Sequence, residues 1–146
     1  MAQVMDILRM KGGSVYSASE TTTVLDATRK MNESRIGALV VTSPSGQVSG
    51  MFTERDVLRR VVAEQRNPGG TILVNVMTTE VVCCNPDTDL EEVRSLMMQR
   101  RIRHIPVIDH AGQLEGMISI GDVNAHFASK AEVQIQYLND MIYGRT

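Results

Sequence analysis

One 23-residue stretch of this chain occurs twice. RIGALVVTSPSGQVSGMFTERDV, from Arg35 to Val57, returns without a gap as RIRHIPVIDHAGQLEGMISIGDV, from Arg101 to Val123. Nine of the 23 aligned positions are identical, against roughly one or two expected from ordinary residue usage. The register extends upstream and pairs Val15 with Val81, Val24 with Leu90, Ala27 with Val93 and Met31 with Met97. A chain built this way folds as two copies of one unit that need each other for a core. A single copy of about 50 to 60 residues buries too little apolar surface to stand alone.

Each copy has the same grammar. A short apolar stretch (Val15 to Ala18, or Val81 to Cys84) leads through polar turn residues into a helix. Apolar residues at helical spacing mark that helix: Val24, Ala27 and Met31 in one copy, Leu90, Val93, Leu96 and Met97 in the other. Thr22 or Thr23, and Thr88 or Asp89, are its candidate N-caps. A strand follows (Ala38 to Thr42, or His104 to Asp109), then a Gly-bearing hairpin turn and a second strand ending at Thr53 or Ser119. A second helix starts there. The unit reads β-α-β-β-α, and the fold class is α/β (α+β), with two units stacked face to face. The expected organisation is residues 1–66 for an N-terminal segment and the first repeat, and 67–76 for a linker around the breaker Asn67-Pro68-Gly69-Gly70. The second repeat takes 77–128 and a C-terminal helix 129–146.

Two segments lie outside the duplication. Ala2 to Met10 is a short amphipathic piece expected to pack back on the second repeat. In the tail, Ala131, Ile135, Leu138 and Ile142 recur at spacings of four, three and four, flanked by Val133, Tyr137 and Met141. An apolar stripe of that width needs a cover, and a second subunit is the expected one.

Composition narrows the function. Lys plus Arg is 15 and Asp plus Glu is 17, so no global positive field exists to hold nucleic acid or an anionic membrane. Aromatics are 3% with no Trp, too few for a base-stacking platform. No apolar run approaches the ~20 residues of a membrane span, and the expected location is the cytoplasm. Cys83 and Cys84 are neighbours. They match no zinc spacing and can close no long loop, so they read first as small strand residues, with a redox switch as the minority alternative. His104, His110 and His126 stand in no recognised catalytic or metal-ligating arrangement. No enzyme, metal or catalytic cofactor is expected.

The blocks GMFTERDV and GMISIGDV, each after a hairpin and before a helix, resemble those of tandem CBS domains, named for cystathionine β-synthase. KGGSVYS near the start and VMTTEVVCCNPDTDLEEV at the second repeat fit the same pattern, so the resemblance covers roughly Met5 to Phe127. It is greatest to small stand-alone pairs. The resemblance implies two symmetry-related clefts that take adenosine compounds: AMP first, then ADP or ATP, NAD and S-adenosylmethionine.

Carried onto this chain, the resemblance makes Asp56 and Asp122 ribose-binding carboxylates, with Thr53 and Ser119 beside phosphate at helix N-termini. Met51, Ile36, Ile102 and Pro106, together with the first strands holding Tyr16 and Val82, supply an adenine slot. Taken alone, each Thr-x-x-Asp or Ser-x-x-Asp is more often a helix cap than a ligand site. Arg103 and His104 align with Gly37 and Ala38. The cleft of Thr53 and Asp56, facing Arg103 and His104, is therefore expected to be the better phosphate site. The cleft of Ser119 and Asp122 is expected to take a nucleoside-like group or none. A homodimer and an effector protein are the expected partners.

Overall fold

The computed structural model describes residues 2–12 and 16–143. Val15, its pairing with Val81, and the Gly13-Ser14 part of KGGSVYS lie outside the described residues.

The chain runs α1 (Val4–Lys11), β1 (Ser17–Ser19), α2 (Val24–Ser34), β2 (Ala38–Thr42) and β3 (Val48–Thr53). A helical turn α3 (Glu54–Asp56) continues as a π-helical stretch, Val57–Val62. After two 3₁₀ turns, Pro68–Gly70 and Leu73–Asn75, come α4 (Leu90–Arg100), β4 (His104–Ile108), β5 (Leu114–Ser119) and α5 (Ile120–Tyr143).

The two repeats match in detail. β2 and β3 pair antiparallel, as do β4 and β5, and each pair shifts register at the same point, Val41/Thr42 and Val107/Ile108. β1 adds to β2 in parallel, with Ala18 opposite Val41. In the second repeat no strand forms at Val81 to Cys84. One parallel bridge remains, Cys84 to Val107, at the equivalent position. Gly46 and Gly112 take positive φ (85° and 82°) in the two hairpin turns, which only glycine adopts without strain. Arg35 and Arg101 both end their helices in the left-handed region, at φ 54° and 53°.

Thr23 caps α2 by accepting from the Asp26 N–H at 3.1 Å. At α4 the N-cap is Asp89, without a side-chain bond. Thr88 instead accepts from the Asn85 N–H at 3.0 Å.

Each repeat has its own core. Val24, Ala27, Met31, Leu39, Val41, Phe52 and Val61 form one, and Leu90, Val93, Met97, Ile105, Val107, Ile118 and Val123 the other. Each core is closed by a segment from outside its own repeat. Val4 and Ile7 of α1 complete the second core, as expected of the N-terminal segment. Leu73, Val76 and Met77, which precede the second repeat, complete the first. The two arms dock alike. Val4 N–H donates to the Thr88 carbonyl at 2.9 Å, and Leu73 N–H to the Thr22 carbonyl at 2.9 Å. Gly50 and Gly116 let the arms pass: a Cβ on Gly50 would stand 2.6 Å from Met77 Sδ and 2.8 Å from the Thr78 carbonyl, and one on Gly116 2.7 Å from Leu8 Cδ2.

The sheets meet about a pseudo-twofold axis at Gln47 and Gln113. These two residues bridge each other antiparallel. Gln47 Nε2 donates to the Ala111 carbonyl and Gln113 Nε2 to the equivalent Ser45 carbonyl.

The tail requires a correction. It is not a separate helix after residue 128 but the last part of α5, continuous from Ile120 to Tyr143. The first repeat meets Asn67-Pro68-Gly69-Gly70 soon after its second helix, whereas no breaker follows Phe127. The tail does not cover its own module: residues 128–139 are exposed throughout.

Gly50→Ala should therefore cost about 2–3 kcal/mol, because the Thr78 backbone must move. Gly116→Ala should cost less than about 1.5 kcal/mol, since only the end of Leu8 must swing. Urea unfolding midpoints of the two variants check the order.

Candidate functional site

Two backbone ties set the site geometry. The Glu54 N–H donates to the Gly37 carbonyl at 3.1 Å, and the Ile120 N–H to the Arg103 carbonyl at 2.8 Å. Each fixes a helix start beside the beginning of its own repeat's central strand. Association of the repeats then leaves a cleft of about 600 Å³ between them. The first repeat contributes Gly37, Met51, Thr53, Glu54, Arg55 and Asp56. The connection into the second repeat contributes Thr78, Glu80, Val81 and Val82. Arg101 to His104 and Ser119 to Gly121 complete the lining.

Of the candidate residues, this cleft brings together Thr53, Asp56, Met51, Val82, Ile102, Arg103, His104 and Ser119. Four others lie elsewhere. Ile36 and Tyr16 pack against the first core. Pro106 is buried in β4. Asp122 is bound to Lys11 and is not in the lining of this cleft. Thr53, Asp56, Arg103 and His104 all line this cleft, and so does Ser119, which was expected in the other one. Arg101, which could have pointed away into solvent, is part of the wall.

The two aspartates differ although their sequence positions are equivalent. Asp56 is 5% exposed. Its Oδ2 accepts from the Thr53 N–H at 2.9 Å and the Thr53 hydroxyl at 3.2 Å. Its Oδ1 accepts from the Thr78 hydroxyl at 2.9 Å, with Arg60 Nε at 3.7 Å. Arg60 also donates to the Met77 carbonyl at 2.8 Å. Asp56 thus ties α3 to the arm as well as facing the cleft. The capping reading and the cleft reading apply to one side chain.

Asp122 is half-buried. Its Oδ2 accepts from the Ser119 N–H and from Lys11 Nζ, each at 2.9 Å. Burial alone would raise its carboxyl, but the Lys11 ammonium and the bonds from Ser119 outweigh that and hold it below the usual range. Beside the Ser119 end of the module, expected to carry no charge from Gly37 and Ala38, the N-terminal arm supplies a lysine.

The cleft carries both signs: Arg55, Arg101 and Arg103 against Glu54, Asp56 and Glu80. Glu54 lies over Gly37, its carboxyl carbon 3.3 Å from where a Cβ would be. His104 is half-buried at the cleft wall. Desolvation by burial, then the charges of Arg103 and Lys11, push its imidazole below 6.5, and Asp122 and Glu54 oppose this only in part. The ring is neutral at pH 7, able to donate from one nitrogen and accept at the other.

Sequence reasoning missed Glu54, Arg55, Thr78, Glu80, Ile120 and Gly121. The first two follow Thr53 at the helix start and could have been read from that position. Thr78 and Glu80 lie in VMTTEVVCCNPDTDLEEV, which assigned them no site role; they arrive through the antiparallel bridge from Met51 to Thr78. Cys84 is buried in the second core, its thiol pushed up to about 12 by burial, then by Cys83 and Glu92. Burial raises Cys83 too. Neither forms a reactive thiolate at neutral pH. Among the described residues, no group of three or more His, Cys, Asp or Glu could hold a metal ion. No described helix is long and apolar enough to cross a membrane.

Comparison with known proteins agrees with this architecture. The CBS domain family model matches residues 4–63 and 73–129. The chain is 36% identical to a mitochondrial CBS domain-containing protein of Arabidopsis thaliana over 149 residues, covering 97% of this chain and 72% of that one. A solved protein with CBS domains from Burkholderia ambifaria superposes with a TM-score of 0.81 at 35% identity, covering 88% and 95% of the two chains. A CBS domain protein from Pyrobaculum aerophilum, solved in complex with AMP, shares the fold at a TM-score of 0.74 and 22% identity, covering 83% and 89%.

The lowered His104 pKa fixes a pH dependence. The unfolded chain binds the proton near 6.5 and the folded chain only below that, so stability is full above about pH 6.5 and falls as pH drops toward the folded value. Thermal unfolding of wild type should show this loss, and His104→Gln should flatten it. Equal slopes for the two proteins would remove His104 as the cause.

Proposed function

The chain belongs to the CBS domain family as a tandem pair of repeats, and we propose that it is a regulatory module that binds an adenosine nucleotide in the cleft between them. The observation that carries this reading is a cleft of about 600 Å³ lined by Arg101, Arg103 and neutral His104 together with Thr53 and Asp56. AMP is the first ligand, ahead of ADP and ATP, NAD and S-adenosylmethionine. The Pyrobaculum aerophilum protein was solved with AMP, which supports an adenosine compound as the ligand class.

The residues divide the ligand by chemistry. Met51, Val82 and Ile102 offer apolar surface to the base. Arg103 and His104, with the Thr53 hydroxyl opposite, face the phosphate. Asp56 is the ribose acceptor. To take ribose hydroxyls it must exchange its bond from Thr78, and that exchange passes ligand state to the arm through Arg60. Glu54 and Glu80 oppose a longer phosphate chain, which favours one phosphate over three. Asp122, paired with Lys11, leaves the second cleft to a nucleoside-like group.

The module acts by binding, not by catalysis. A ligand shifts it only by preferring one arrangement over another, and that preference is read by an effector protein. We place the module in the cytoplasm, where Cys83 and Cys84 stay reduced, and assign it a homodimeric state.

Thermal-shift and calorimetric titration with AMP, ADP, ATP, NAD and S-adenosylmethionine tests the reading. AMP at about 100 times its Kd should add about 2.7 kcal/mol of stability. Arg103→Ala should weaken AMP about ten- to a hundredfold, the loss of one charged hydrogen bond. Binding that survives Asp56→Ala but is lost in Asp122→Ala would move the nucleotide to the other cleft. No shift with any ligand would leave a structural docking module.

A further inference from the structure

The two arms reach the two aspartates in chemically different ways. Met51 and Asp56 line the cleft of about 600 Å³, and the repeat alignment makes Met117 and Asp122 their counterparts. Lys11 Nζ sits between those counterparts. It donates to the Met117 carbonyl and to Asp122 Oδ2, each at 2.9 Å. In the first repeat the equivalent groups are held by Thr78. Its N–H donates to the Met51 carbonyl at 2.8 Å, and its hydroxyl to Asp56 Oδ1 at 2.9 Å.

These attachments differ in what undoes them. Thr78 is bonded through its backbone in both directions, since the Met51 N–H also donates to the Thr78 carbonyl at 2.9 Å. Freeing the Met51 carbonyl unzips the arm. Lys11 uses a side chain alone, a compact charge on a flexible four-carbon stem. It is the last residue of α1, and α1 is anchored in the second core by the buried Val4 and Ile7. The Lys11 side chain is 36% exposed. Its ammonium can therefore swing into water while the core stays closed.

We propose that Lys11 is a built-in plug of the second cleft: its ammonium occupies the Asp122 carboxylate and the Met117 carbonyl, and a ribosyl ligand enters only by displacing it. This rests on the reading of the paired aspartates as ribose acceptors and adds regulation to it. The clefts then differ in access as well as in charge, one open and one latent. The competition is also unequal. A ribose hydroxyl at Asp56 replaces a neutral hydroxyl, whereas one at Asp122 replaces an ammonium, and charge-assisted bonds are about twice as strong as neutral ones.

The chemistry of the vacated site favours an uncharged nucleoside. The positions of Arg103 and His104 are Gly37 and Ala38 in the other repeat, which offer a phosphate no cationic side chain. Adenosine is therefore the probe. The opposite role for Lys11 is a phosphate ligand that turns from Asp122 to the nucleotide, and it predicts the opposite effect of removing the charge.

Equilibrium dialysis of the full chain against adenosine and against AMP separates these cases. Lys11→Met keeps the stem and removes the charge. It should tighten adenosine at the second cleft about tenfold, the loss of one charged hydrogen bond discounted for exposure. Adenosine bound per chain should rise from one in wild type to two in the variant. Lys11→Arg, which keeps a cation, should stay at one. An unchanged count in Lys11→Met overturns the plug and leaves the ribose reading intact. Two adenosines in wild type overturn it as well, and AMP binding weakened in Lys11→Met makes Lys11 a phosphate ligand instead. If neither protein binds adenosine or AMP, the ribose reading itself falls, and the plug with it.

A second readout needs no variant. Acylation of Lys11 in wild type, followed by mass spectrometry, should speed up severalfold as excess adenosine fills the second cleft and frees the amine. Acylation that is unchanged or slowed with two adenosines bound rejects the plug.

Discussion

Neither repeat can close its own core, and the rest of the structure follows from how that is solved. A β-α-β-β-α unit leaves part of its sheet and first helix uncovered. The segment ahead of the other repeat fills the gap: Val4 and Ile7 for the second core, Leu73 and Val76 for the first. This crossing makes the two repeats a single folding unit, since removing one arm opens the partner's core. It also explains Gly50 and Gly116, which hold the sheet surface low where Met77 and Leu8 pass over it. The crossing carries Thr78 to Asp56 and Lys11 to Asp122, so the packing solution also sets the chemistry of the two aspartates.

That chemistry is unequal. Asp56 is held by a hydroxyl from the arm and a distant guanidinium, and Asp122 by an ammonium at 2.9 Å. The duplicated scaffold gives two copies of a helix start beside a strand start. The arms, which diverged, give each copy a different electrostatic partner. Asp56 connects to the Met77 carbonyl through Arg60, whose Nε stands 3.7 Å from the carboxylate. The π-helical stretch after Asp56 lies in the same segment, and such stretches occur where a helix has been adapted to a site. The second repeat keeps a regular α-helix there, and its continuation forms the exposed tail.

The module thus has three separate parts. The cores hold the fold, the mixed-charge cleft lies between the repeats, and the tail stands exposed. Their separation is physical. Residues 128–139 contribute no buried side chain to either core, and the cleft wall contains no tail residue.

Local physics made much of this readable along the chain. The duplication predicted two β-α-β-β-α units, and period, turn chemistry and caps placed β2, β3 and β5 at their observed ends, because each depends on neighbours within a few residues. Thr53, Asp56, Arg103 and His104 could be grouped from the repeat alignment, and all four line the cleft. Other features needed the assembled fold. Val81 to Cys84 carries a strand-like pattern yet forms a single bridge, since tertiary pairing, not propensity, decides a short strand. Tyr16, Ile36 and Pro106 have the right apolar character for a base slot but are taken up in packing. Thr78, Glu80 and Lys11 reach their places by long-range crossing of the arms, which no local pattern encodes. Periodicity and capping are short-range and survive in the linear chain. The partner of a buried carboxylate is a long-range fact, fixed only when two distant segments compete for the same volume.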